Sequence, residues 1–130
     1  MFRKKTFINK GQTLVLLLVV SVIFMIIVSA AVTMVLTNSV GSDKFQQAIN
    51  TRELAESGIE NGLLRLLRDP NYSGETINLD GGSAVVTVTG DALNKTVLSV
   101  GTYGNFQRKI QVQITYNNNI LTVASWQEIP

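Results

Sequence analysis

Three textures follow one another along the chain. Residues 1–11 hold four basic side chains, and Gln12 to Ser42 are 31 residues without a charge. Leu14 to Leu36 is almost purely aliphatic, with Ser21, Ser29 and Thr33 as its polar members. As a helix those 23 residues span about 34 Å, enough to cross a bilayer with a little tilt. They are apolar on every side, which suits lipid or other helices rather than a water-facing surface. From Asp43 the pattern becomes amphipathic. Phe45, Ala48, Ile49, Ala55, Ile59, Leu63, Leu66 and Leu67 recur at spacings of three and four, the period of a half-buried helix. Arg52 interrupts that face between Ile49 and Ala55, while Glu53, Glu56, Glu60 and Arg65 sit on or beside the polar side. Arg52 and Glu56 are spaced to pair, as are Arg65 and Asp69. Asp69-Pro70-Asn71 ends the helix.

Gly41 lies between the apolar and amphipathic stretches, and Ser42 or Asp43 could cap a separate second helix. The alternative is one helix from Gln12 to Arg68 with a soft point at Gly41.

The third texture begins at Thr76 and has a period of two. Ile110, Val112, Ile114 and Tyr116 alternate with Gln111, Gln113 and Thr115, and Leu98 and Val100 flank Ser99. One face of such strands is buried and the other wet. Asp80-Gly81-Gly82, Gly90-Asp91, Tyr103-Gly104-Asn105 and Asn117-Asn118-Asn119 punctuate the run as turns. The strands are then Ser83–Thr89, Lys95–Thr102, Gln107–Tyr116 and Ile120–Gln127. The fold class is α+β: a long N-terminal helix packed on a four-stranded antiparallel sheet, with a short Thr76–Leu79 strand before it as the variant. The buried face is expected to pack on Ala55–Leu67. The domain division is residues 1–11 as a basic leader, 12–68 as helix (apolar half 14–36, amphipathic half 43–68) and 69–130 as the β domain.

Charge sharpens this picture. The formal net charge is +2, but four of the eleven basic residues (Arg3, Lys4, Lys5 and Lys10) precede the apolar segment. From Gln12 onward seven basic residues face nine acidic ones, a net of −2. The basic excess therefore belongs to the leader. It places that end in the cytoplasm and the rest of the chain outside. No clustered Lys and Arg remain to suggest nucleic-acid binding. The absence of His and Cys removes imidazole bases, thiolate nucleophiles, the usual zinc ligands and disulfides.

Three readings of the N-terminus compete. Val28-Ser29-Ala30 has the small-residue pattern of a signal-peptide cleavage site, but Val32 to Leu36 continue the apolar run past it. An uncleaved signal anchor is the second. The third rests on the seam itself: Lys10-Gly11-Gln12-Thr13, followed without a break by Leu14-Val15-Leu16-Leu17-Leu18-Val19-Val20. Here the chain resembles the type IV pilin and pseudopilin superfamily, whose precursors carry a short basic leader ending in glycine. The resemblance implies a prepilin peptidase cut between Gly11 and Gln12, with N-methylation of Gln12. The sequence departs from the pattern in two places. Gln12 stands where an apolar residue is usual, and Leu16 stands where most pilins have a glutamate. K-type minor pseudopilins, which sit at filament tips, also lack that glutamate, so Leu16 points to a tip or minor subunit.

Ala55-Glu56-Ser57-Gly58-Ile59-Glu60 is similar to a run in PilX-like minor pilins and K-type pseudopilins, as is the pairing of Ser99-Val100-Gly101 with Arg108-Lys109-Ile110. Gly58 and Gly62, one turn apart, leave a flat strip where a sheet or a neighbouring helix can approach closely. With Leu16 they are the expected packing positions. The implied function is a structural filament subunit stored in the membrane. Its partners would be other pilin subunits, the peptidase and the bilayer, and an extracellular filament its destination. The rival is a signal-anchored extracytoplasmic binding module that never polymerises.

No chemistry competes with these. Glu56 and Glu60 lack a histidine or metal partner and read as a solvated face. Asp80 and Asp91 are isolated loop acids, too few for calcium. Gly81-Gly82 precedes no helix that would cradle phosphate. No catalytic residue, cofactor or metal is expected. Trp126, Tyr103, Phe106 and Tyr116 are read as core or sheet packing rather than an adhesive surface.

Overall fold

The computed structural model describes residues 10–79 and 81–130. The expected leader residues 1–9, with Arg3, Lys4 and Lys5, lie outside the described residues, as does Asp80 of the first turn. One α-helix and five strands follow in order: α1 (Lys10–Arg68), β1 (Gly74–Leu79), β2 (Gly82–Gly90), β3 (Asn94–Tyr103), β4 (Phe106–Asn117) and β5 (Ile120–Ile129). The helix passes through Gly41 without interruption. The chain divides into two compact units at the Ser42/Asp43 boundary.

In the first unit the apolar segment is a bare helix. Leu14 to Leu36 have no protein packed against them and are exposed throughout. By length and composition this helix can cross a membrane. Its three hydroxyls are closed on the helix itself. Ser21 Oγ donates to the Leu17 carbonyl at 2.8 Å, Ser29 Oγ to Met25 at 2.7 Å and Thr33 Oγ1 to Ser29 at 2.8 Å. Each is a bond to the preceding turn, which shields the polar group from an apolar medium.

In the second unit the amphipathic part of α1 lies on an antiparallel meander of order β1-β2-β3-β4-β5. The sheet thus has five strands where four were expected, because β1 pairs with β2 from Gly74↔Thr87 to Leu79↔Gly82. Ala55, Ile59 and Leu66 of the helix form the core with Val86, Val97, Ile110, Val112 and Ile114. The alternation in β4 is the expected one: Ile110, Val112 and Ile114 are buried.

The inward helix face differs from the spacing-based expectation. Thr51, Leu54, Ala55, Gly58, Ile59, Gly62 and Leu66 point inward, whereas Phe45 and Leu67 are 69% and 49% exposed. Small residues carry much of the contact, so a search for large apolar side chains misplaces it by about a quarter turn. Arg52 leaves the face and bonds Glu56 at 2.9 Å, the expected pairing. Arg65 does not pair with Asp69. It reaches Glu75 on β1 at 3.0 Å, where Asn61 Nδ2 also donates to that carboxylate at 2.7 Å. Asp69 instead closes the helix end, its Oδ1 accepting the Asn71 N–H at 2.9 Å.

Turn chemistry fixes the strand ends. Asn118 and Asn119 are both left-handed (φ 51° and 61°) between β4 and β5, the two-residue hairpin geometry asparagine tolerates. Between β2 and β3, the Asp91 carboxylate accepts the N–H groups of Leu93 at 3.0 Å and Asn94 at 2.7 Å. Those two bonds, that from Asn94 foremost, hold the Asp91 carboxyl below its ordinary range.

Candidate functional site

The seam singled out in the sequence lies in α1, at the edge of the described residues. Gly11 and Gln12 are helical and exposed. A side chain at Gly11 would meet nothing within 4 Å. A helix-interior glycine costs about 1 kcal/mol relative to alanine. Glycine at position 11 therefore gives α1 less local support than alanine would. Gln12 is followed by the exposed apolar surface at once. Leu16 is 64% exposed and lines a shallow depression with Thr13, Leu17, Val20 and Ser21. No ionisable group lies between Gly11 and Ser42.

The second candidate region is the glycine strip, which faces the chain's own sheet. Gly58 sits over Ser99 and Ala84, and Gly62 over Val86 and Val97. Of the two surfaces a flat strip could serve, sheet or neighbouring helix, the sheet occupies it. Gly101 on β3 completes the approach: a side chain there would run into the backbone of Thr51 and Ala55. Sequence reasoning used Gly101 as part of a motif without assigning it this contact. Ser99 Oγ, enclosed at the same place, has no hydrogen-bond partner.

The carboxylates are dispersed. Glu56 is held by Arg52, Glu60 is exposed, and Glu75 is held by Arg65 and Asn61. Among the described residues no three His, Cys, Asp or Glu side chains come together to hold a metal. An open depression of about 230 Å³ is lined by Asn50, Glu53, Leu54, Ser57, Leu79 and Tyr103, with Glu53 as the one carboxylate among the described lining residues. Near the helix end, Tyr72 places its hydroxyl in the interior without a hydrogen bond. Burial, with the neighbouring Glu75 charge adding to it, pushes that phenol above its ordinary pKa.

Of the four aromatic side chains assigned to packing, Tyr103, Phe106 and Tyr116 are half-buried, whereas Trp126 is 47% exposed on the edge strand. The expectation for Trp126 is therefore corrected. Leu121 of β5 packs against the core, but most of that strand is exposed on both faces. No family model, no curated protein and no solved structure matches the chain.

Proposed function

We propose that this chain is a minor, pilin-like structural subunit of a type IV pilus or related filament, made as a precursor and stored in the cytoplasmic membrane. The observation that carries the reading is the seam. A basic segment ends at Gly11, and a helical stretch without a charge, Gln12 to Ser42, follows with no covering surface over Leu14–Leu36. In this reading a prepilin peptidase cuts after Gly11 and Gln12 becomes the methylated N-terminus. The segment Leu14–Leu36 then passes from lipid into a bundle of neighbouring subunits' helices, and Asp43–Pro130 faces outward. Leu16 makes the subunit one for the tip or for priming. A carboxylate buried in such a bundle needs a positive partner, and a leucine there needs none. The protein acts by assembly rather than catalysis.

The test is the N-terminus of the protein isolated from the cell that makes it. Intact mass spectrometry is expected to find a chain that starts at methylated Gln12, and Gly11→Ala is expected to leave the full-length precursor uncut. A wild-type chain starting at Met1 supports the signal-anchored binding module instead. One starting at Ala31 overturns the filament reading.

A further inference from the structure

β5 is an edge of the sheet, so among the described residues one side of its backbone is unpaired along ten residues, Ile120 to Ile129. Edge strands are usually guarded by lysines, by proline or by charges that repel another strand. β5 has no Lys, Arg or Pro. Its one charge, Glu128, is already bonded to the chain's own Arg108 at 2.8 Å. It also displays Ile120, Val123 and Trp126, which are 66%, 44% and 47% exposed.

The irregularity in β5 gives this edge a particular symmetry. Gln113 pairs with Ser125 and Ile114 with Val123, so Ala124 is the extra residue of a bulge. Side chains normally alternate, and three residues apart would place Val123 and Trp126 on opposite faces. The bulge puts them on the same one. Trp126 is opposite the buried Val112, and Val123 is opposite the buried Ile114. The helix-side set of β5 is therefore Leu121, Val123, Trp126 and Glu128, opposite Tyr116, Ile114, Val112 and Ile110. The other face carries Ile120, Thr122, Ser125, Gln127 and Ile129. About the Ala124–Ser125 bond this arrangement reads the same in both directions.

We propose that β5 is a docking edge for a second copy of this chain, paired antiparallel about a two-fold axis between Ala124 and Ser125. In that register Val123 meets Trp126 of the second copy on the helix side, an aromatic–β-branched pair of the kind that stabilises antiparallel strands. Thr122 meets Gln127, Leu121 meets Glu128 and Ile120 meets Ile129, each pair on one face. A slip of one residue sets helix-side residues against those of the opposite face. No like charges are brought together, since Glu128 falls opposite Leu121 and keeps Arg108.

The size of the contact sets its strength. Ten residues at about 3.4 Å and a sheet roughly 10 Å thick give roughly 340 Å² per copy. A stable interface takes about 800 Å² per partner. The pair is therefore weak, and the micromolar range of protein concentration is where it is sought. It does not rest on the filament reading. The two-fold turns the two Asp43–Arg68 helices in opposite directions, so the pair is an alternative to any array in which subunits all point one way.

The experiment uses the full chain in detergent. Its sequence has no cysteine, so Thr122→Cys combined with Gln127→Cys reports on the register. The two sites in one strand are about 17 Å apart, too far to bridge within a chain, whereas each is opposite the other in the pair. Mild oxidation is expected to give a covalent dimer from the double variant and none from Thr122→Cys alone. In sedimentation velocity the wild type is expected to pass from monomer to dimer across the micromolar range. Trp126→Lys is expected to raise the dissociation constant at least about tenfold, with an unchanged circular dichroism spectrum showing that the fold is kept. A folded wild type that stays monomeric overturns the proposal. So do open-ended polymers, which would indicate pairing through β1, and a dimer that survives Trp126→Lys unweakened.

Discussion

The contact between helix and sheet is decided by three small residues. At Gly101 the obstacle to any side chain is the helix backbone at Thr51 and Ala55, which cannot move without undocking α1. At Gly58 the obstacles are side chains, Ser99 Oγ and the Ala84 methyl, and the former can rotate. Gly101→Ala is therefore expected to cost about 3 kcal/mol or more. Gly58→Ala is expected to cost only about 1–2 kcal/mol, because better helix propensity offsets part of the overpacking. Ser99 itself is enclosed with an unpartnered hydroxyl, so Ser99→Ala is expected to stabilise by about 1 kcal/mol. Urea unfolding followed by circular dichroism checks all three. An equal loss for the two glycine variants would show that the backbone approach at Gly101 is not the limiting one.

Among the elements, the turn before β3 carries the clearest pH dependence. The Asp91 carboxyl is held below its ordinary range by the Asn94 and Leu93 N–H groups. A carboxyl lowered in the folded state contributes stability above its unfolded value, near pH 4, and loses it as pH falls through the folded one. Asp91→Ala is expected to melt below wild type at pH 7, with the gap narrowing toward pH 3. A gap that stays constant with pH would assign the effect to packing. The strands that sequence made legible are those with a clean period of two, β4 above all. β1 was only half legible, since Glu75, Thr76 and Asn78 give it little apolar signal and its pairing depends on Arg65 and Asn61 holding Glu75. The inward helix face was blurred because Thr51, Gly58 and Gly62 are not apolar landmarks. The face on which Trp126 lies depends on the bulge at Ala124, which leaves no local mark in the residues. The Gly11–Gln12 seam and Leu16 are features of composition and order, and the packing of Asp43–Pro130 adds nothing to them.

At the scale of the molecule, the division at Ser42/Asp43 separates two kinds of stability. Every buried core residue, from Thr51 to Ile114, belongs to Asp43–Pro130. A chain beginning at Asp43 is therefore expected to leave the membrane fraction and keep a cooperative thermal transition and dispersed amide resonances. A truncated chain without that transition would show that the preceding segment supports the core. The apolar segment contributes nothing to this core, yet it is not merely greasy. Because Ser21, Ser29 and Thr33 each give their proton to the turn behind them, no donor has to find a new acceptor when the surroundings change. Such a helix is close to indifferent between one oily environment and another. Its partition between them is governed by how closely neighbours fit its surface, and an exchange of neighbours carries almost no barrier from broken hydrogen bonds.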